Sequence, residues 1–291
     1  MSPLALALVL ASASLHATWN LFAKRAGAST RGPAVVFSFS ALTALLYAPL
    51  AISQGGLAFD RVGLAGGLAV LGSAVLHIGY FLSLQRGYRV GDLSLVYPLA
   101  RGGGPLLATL GAIAWLGERP SALALTGTAL VVVATITLAS GRSRVAGSVG
   151  RLAPGLAWGA VTAAFIGSYT LWDARAVALV GVPPLLYLWW SELLRMLLLA
   201  PLALSRPADL RQVWRAHRGA VLAIALLSPF TYLLVLIAFT LAPVSLVAPI
   251  REISVLIGAW LGVSLLGEGH RVRRLIAAAA MVAGVALLSR G

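Results

Sequence analysis

The chain has 291 residues, of which 60% are hydrophobic and only 10% charged, with a formal net charge of +14 and a mean hydropathy of +0.94. Soluble domains carry about a quarter charged residues, so this composition excludes a water-surrounded fold and sets the apolar surface against lipid. With 0 Cys, a disulfide framework and a thiolate metal site are excluded as well.

Ten apolar runs of roughly 20 residues, the length that crosses a bilayer, follow one another at 4–23, 33–52, 62–84, 93–116, 122–140, 152–171, 183–204, 219–241, 244–266 and 275–289. The first run includes Ala11-Ser12-Ala13, which faintly resembles a signal-peptidase site. It lacks a basic segment ahead of it and continues beyond, so it reads as an uncleaved first helix. Within it His16, Trp19 and Asn20 fall at i, i+3 and i+4, with Ser12 one turn earlier, and share a stripe. The third run repeats this spacing with Ser73, His77 and Tyr80.

The fourth run holds Tyr97-Pro98, then Arg101, the glycines Gly102–Gly104 and Pro105. Each proline removes a backbone hydrogen bond, so Pro98, Pro105 and, in the ninth run, Pro249 are expected as helix breaks. A broken helix offers N–H groups to an anion, and Arg101 and Arg251 beside the breaks would strengthen such a site; kinks that merely shape the bundle are the alternative. The seventh run supplies Trp189, Glu192 and Arg195 one turn apart, and the ninth Arg251 and Glu252 side by side. Consecutive helical residues point about 100° apart, so one of these two is expected to face the cavity while the other ties the helix to a neighbour.

Ionisable side chains inside a span cost about 2.5–3.5 kcal/mol on insertion scales and tend to face the bundle interior. They therefore mark a candidate cavity: His16, Trp19, Asn20, His77, Tyr80, Tyr97, Arg101, Glu192, Arg195, Arg251 and Glu252. Plainer roles stand beside this one. Glu192 and Arg195 fit an internal ion pair, His77 a hydrogen-bond donor to a neighbouring helix, and Trp189, Trp190 and Tyr187 an interfacial aromatic belt. Glycines four apart, at Gly63 and Gly67, Gly155 and Gly159, and Gly258 and Gly262, are packing signals. Phosphate-binding loops, metal-ligand clusters and a Gly-flanked serine nucleophile are absent from the sequence. No cofactor and no metal are expected, and a membrane enzyme is a distant alternative.

The last five runs repeat the first five. Ser94-Leu95-Val96-Tyr97-Pro98 matches Ser245-Leu246-Val247-Ala248-Pro249, and Leu116-Gly117-Glu118 matches Leu266-Gly267-Glu268. Five spans is an odd number, so the second half enters the membrane from the opposite side, the inverted repeat through which carriers alternate their access. The halves are read as 1–141 and 152–291, joined by a Gly/Ser/Arg linker at 142–151. A second polar stretch, 205–218, reads as a solvated basic loop, with 209–214 as a possible amphipathic piece.

Basic residues give the orientation. Of the 22 Lys and Arg, only Arg61, Arg119, Arg175 and Arg290 follow even-numbered spans and Arg101, Arg195 and Arg251 lie within or near spans, leaving 15 after odd-numbered spans. Those loops are expected in the cytoplasm and both termini outside. Charge laid out this way is a topology signal, and no nucleic-acid partner is expected.

These features together resemble the EamA-type members of the drug/metabolite transporter superfamily. Beside the repeat, His16-Ala-Thr-Trp19-Asn20 leading to Lys24, and Leu-Gly-Glu closing the fourth and ninth spans, carry the likeness. The resemblance implies an all-α integral membrane protein of ten transmembrane helices in two inverted five-helix repeats around a central cavity. It implies a multi-pass protein of the bacterial inner membrane, monomer or homodimer, that exports a small polar or zwitterionic, amino-acid-like metabolite as a secondary transporter; His16, His77, Glu192 and Glu252 are the groups able to exchange a proton, which makes the proton gradient a candidate driver. A flippase for a lipid-linked amino sugar is the second reading. The family's usual cytoplasmic termini run against the charge count.

Overall fold

The computed structural model describes residues 1–26, 32–56, 63–91, 93–139, 149–257, 260 and 271–291. The described residues form helices α1 (Pro3–Ala26), α2 (Gly32–Ser53), α3 (Gly63–Val90), α4 (Leu93–Trp115), α5 (Ala122–Ala139), α6 (Val149–Ala178), α7 (Pro184–Leu204), α8 (Pro207–Leu241), α9 (Val244–Ile250) and α10 (Arg271–Arg290), with a further helical stretch at 253–257. Four of them, α2, α3, α7 and α8, are long and apolar enough by themselves to cross a membrane, while α1, α5 and α10 contain shorter apolar stretches. Leu45, Leu64, Leu179 and Leu275 are more than two-thirds exposed on the outside of the bundle, 67–81%. Such a surface suits lipid and not water.

The helices thread up and down. The N-terminal ammonium of Met1 lies 3.4 Å from the carbonyl of Ser289, so the chain begins and ends on one side. Many helix contacts follow an exchange pattern: replacing each helix by the one five places along turns α3–α6 into α8–α1, α4–α6 into α9–α1 and α2–α8 into α7–α3, all of which pack together. The pairs α2–α7, α4–α9 and α5–α10 map onto themselves, and they also pack. The most extensive helix contacts, α4–α6, α5–α10, α1–α8, α3–α6 and α2–α7, thus run between the two halves.

Small residues set the closest approaches. A Cβ on Gly284 of α10 would stand 2.8 Å from the carbonyl oxygen of Gly127 on α5, and one on Gly91 would stand 2.5 Å from the Cα of Gly155. Gly155, one of the spaced glycines, therefore acts in packing. The motif Leu116-Gly117-Glu118 has a mechanical role too. Gly117 takes φ +70°, where a side chain would be strained, and the turn aims Glu118 at the other repeat. Its carboxylate oxygens accept the N–H groups of Val244 at 2.7 Å and Ser245 at 2.9 Å, capping α9. The matching Glu268 lies outside the described residues, as do Gly258 and Gly262.

Several expectations change. Helix α4 runs unbroken through Pro98 and Pro105. At the Gly102–Gly104 run the missing side chains make room for Ile136 of α5 and Ala163 and Ile166 of α6. The ninth span does interrupt: α9 ends at Ile250, just after Pro249, and Arg251 and Glu252 form a turn before helix resumes at 253. Helix α6 continues to Ala178, so Asp173 and Arg175 belong to it, and the Arg175 guanidinium sits 5.4 Å over the ring of Trp115. The stretch 205–218 is not a loop, because α8 begins at Pro207 and buries Val213 completely while its arginines stay outside. Of the 142–151 linker, 149–151 are the first turn of α6 and the rest lies outside the described residues.

The Gly127–Gly284 crossing gives a direct test. Gly284→Ala forces backbone against backbone and is expected to destabilise the protein by about 1–3 kcal/mol. Gly219→Ala, in α8 with nothing within 4 Å of where a Cβ would stand, is expected to stabilise by up to about 1 kcal/mol. Thermal unfolding in detergent checks the contrast; equal effects would mean the crossing is not tight.

Candidate functional site

Three arginines and three carboxylates gather in the bundle interior, and their pairing defines the site. Arg195 on α7 places Nη1 3.0 Å from Glu192 Oε1, one turn away on the same helix, while Ser40 of α2 donates to Glu192 Oε2 at 2.7 Å. Glu192 and Arg195 form a buried ion pair one turn apart on α7. Arg101 of α4 sets Nε 3.3 Å from Glu252 Oε2 and donates from Nη2 to Ser254 at 3.0 Å. Nε and Oε2 are close enough for charge attraction but not aligned as a hydrogen bond. Glu252 thus links the turn after α9 to α4.

Asp173 is the residue that the sequence did not single out. It is wholly buried on α6, where the hydroxyls of Tyr187 (2.7 Å) and Tyr232 both donate to its carboxylate. His77 Nε2 lies 3.9 Å from Oδ2, and the other ring nitrogen bonds within its own helix to the carbonyl of Ser73 at 2.9 Å. Around His77 stand Tyr169, stacked at 4.2 Å, and Tyr232, edge-on at 5.5 Å; Tyr80 meets Tyr169 at 5.6 Å. The four-residue spacing of Tyr169 and Asp173 was the available signal, one stripe of α6, but a span drawn to end at residue 171 hid it.

Arg251 is the third cation. Its guanidinium lies 5.6 Å over the ring of Tyr232, an arrangement worth roughly 0.5–2 kcal/mol. Among the described residues it has no carboxylate within ion-pair distance, since Glu192 and Glu252 hold the other arginines and Asp173 is held by tyrosines. His16 on α1 is near enough to feel both Arg101 and Arg251, and Tyr80 and Tyr97 are within reach of Arg101. The structure therefore brings together His16, His77, Tyr80, Tyr97, Arg101, Arg195, Glu192, Arg251 and Glu252. The Trp19 and Asn20 side chains lie outside the described residues. Tyr187 and Trp189 are not an interfacial belt: both are buried, and Trp189 donates to the carbonyl of Ala44 at 2.8 Å.

Next to this polar layer is an apolar one. Phe39 of α2 meets Phe81 of α3 at 5.5 Å between ring centroids, and Leu199 of α7 and Ile224 of α8 complete the packing. Phe39 and Phe81 border the polar layer, next in sequence to Ser40 and Tyr80, while Leu199 stands one turn beyond Arg195 and Ile224 two turns before Tyr232, toward the end where α3 and α7 finish.

Comparison with known proteins agrees with this architecture. Residues 153–290 match the EamA-like transporter family, so the second half of the chain is an EamA-like domain, in keeping with the drug/metabolite transporter superfamily. The protein is a multi-pass, all-α membrane protein, and the family that its second half matches is one of transporters. A solved structure titled only as the crystal structure of a protein is similar over 97% of this chain and 95% of its own, with 18% identity and a TM-score of 0.78. That likeness shows the fold. No curated protein matches the chain.

Proposed function

We propose that the chain is a secondary transporter that carries a small zwitterionic or carboxylate-bearing, amino-acid-like metabolite out of the cell across a bacterial inner membrane. The halves 1–141 and 152–291 act as inverted repeats that exchange conformations. The observation that supports this reading is Arg251, a guanidinium in the polar layer without a carboxylate partner among the described residues. A substrate carboxylate completes it with two parallel bonds. The rings of Tyr80, Tyr169 and Tyr232 offer faces to an ammonium group. The apolar layer at Phe39 and Phe81 is the closed barrier of one state and parts in the other.

His77 and Asp173 are the proposed path for a coupling proton. The pair sits 3.9 Å apart in the interior, and a proton added to either changes how firmly Tyr187 and Tyr232 hold α7 and α8 to α6. Binding a proton thereby biases the helix arrangement.

Two variants in proteoliposomes check these roles against candidate amino acids. Arg251→Lys keeps the charge and loses the fork, and is expected to raise KM about tenfold, equivalent to about 1.4 kcal/mol; an unchanged KM would remove Arg251 from the substrate site. Asp173→Asn is expected to abolish transport driven by a pH gradient while leaving substrate-for-substrate exchange in place. Gradient-driven transport at the wild-type rate would exclude Asp173 from coupling.

A further inference from the structure

Where α3 and α7 end and α2 and α8 begin, the bundle holds a cleft of about 580 Å³ lined by Gln85, Arg86, Arg89, Arg206 and Asp209. Leu82 and Leu202 are among its apolar walls. Arg86 and Arg89 lie three residues apart on one face of α3, and Arg206 enters from the corner between α7 and α8. None of these three guanidinium groups makes a hydrogen bond or ion pair among the described residues. Asp209 has an independent reason to be there, since it occupies the first turn of α8, where the helix dipole favours a carboxylate.

Three cations against one anion leave the cleft with a net charge of +2. Like charges gathered beside apolar walls repel more strongly than they would in open water, and an anion between them relieves that repulsion. A lone carboxylate has two oxygens and satisfies one guanidinium fork. A phosphate group has more oxygens and up to two charges at neutral pH, and it can meet forks arriving from two sides at once. The amide of Gln85 adds a neutral donor that can turn toward the same group.

We propose that this cleft is a binding site for a phosphate group, separate from the inner polar layer and divided from it by the Phe39–Phe81 packing. The phosphate belongs either to a soluble ester or ion or to a lipid headgroup at the membrane surface; the shared chemistry is an oxyanion held by Arg86, Arg89 and Arg206. The site does not use Arg251, so its test and that of the transport reading fail independently.

The experiment is thermal unfolding of the full-length protein in a non-ionic detergent, titrated with inorganic phosphate and with chloride at matched ionic strength. Phosphate is expected to raise Tm beyond chloride. Arg86→Gln/Arg89→Gln, and separately Arg206→Gln, should weaken the apparent affinity by about tenfold or more. Arg290→Gln, exposed at the opposite end of the bundle, should keep the wild-type response. Repeating the titration in nanodiscs of phosphatidylcholine and of phosphatidylglycerol separates the sources. If added phosphate stabilises equally in both, the ligand is soluble; if phosphatidylglycerol gives an arginine-dependent rise and removes the response to added phosphate, it is a headgroup. No phosphate-specific rise in the wild type, or an equal rise in both cleft variants, would overturn the proposal.

Discussion

A charge inside a lipid-facing bundle must find its partner within the protein, and the rest of this structure follows from how those partners are shared. Removing one member of a buried pair costs about 3–5 kcal/mol because the other is left uncompensated. Here the ties run between helices far apart in sequence: Ser40 of α2 to Glu192 of α7, Arg101 of α4 to Glu252 after α9, and Asp173 of α6 to Tyr187 of α7 and Tyr232 of α8. The polar layer is thereby the fastening of the two repeats, and also the place where a small change in charge reaches most of the helices. Arg251 stands out because its neighbour is a ring and not a carboxylate.

The fastening leaves room for movement. Across α5 and α10 the backbones meet at Gly127 and Gly284, with no side chains between them. Toward one end, Phe39, Phe81 and their apolar neighbours pack together without an ion pair among them, the barrier that the proposed cycle would part. At the other, Glu118 of the first repeat caps α9 of the second through two backbone bonds. Apolar packing on one side and a capped helix on the other are unlike closures, and an alternating cycle requires each to open in turn.

Much of the fold is legible in the sequence because hydrophobic length and an internal repeat survive without tertiary information. The interior residues were legible for the same reason: a charge in a span, such as Arg101 or Glu252, has to face inward. What escaped depended on partners in other helices. Asp173 and Arg175 look like the start of a loop until tyrosines from α7 and α8 and the ring of Trp115 are placed around them. The stretch 205–218 looks solvated because Arg206, Asp209, Arg211, Arg215, His217 and Arg218 punctuate it, although Val213 is buried and seats it as helix. Pro98 and Pro105 suggest breaks, but α4 stays whole where the neighbouring glycines let α5 and α6 close on it.

The natural absence of cysteine makes the central claim open to a single clean measurement. Ser254→Cys places one thiol beside the Arg101–Glu252 tie, at a buried position in the polar layer. In oriented vesicles, a membrane-impermeant maleimide should label that thiol when added to either face, and a transported amino acid should slow labelling from both. Labelling confined to one face, unaffected by substrate, would contradict an alternating-access carrier with its site in this layer.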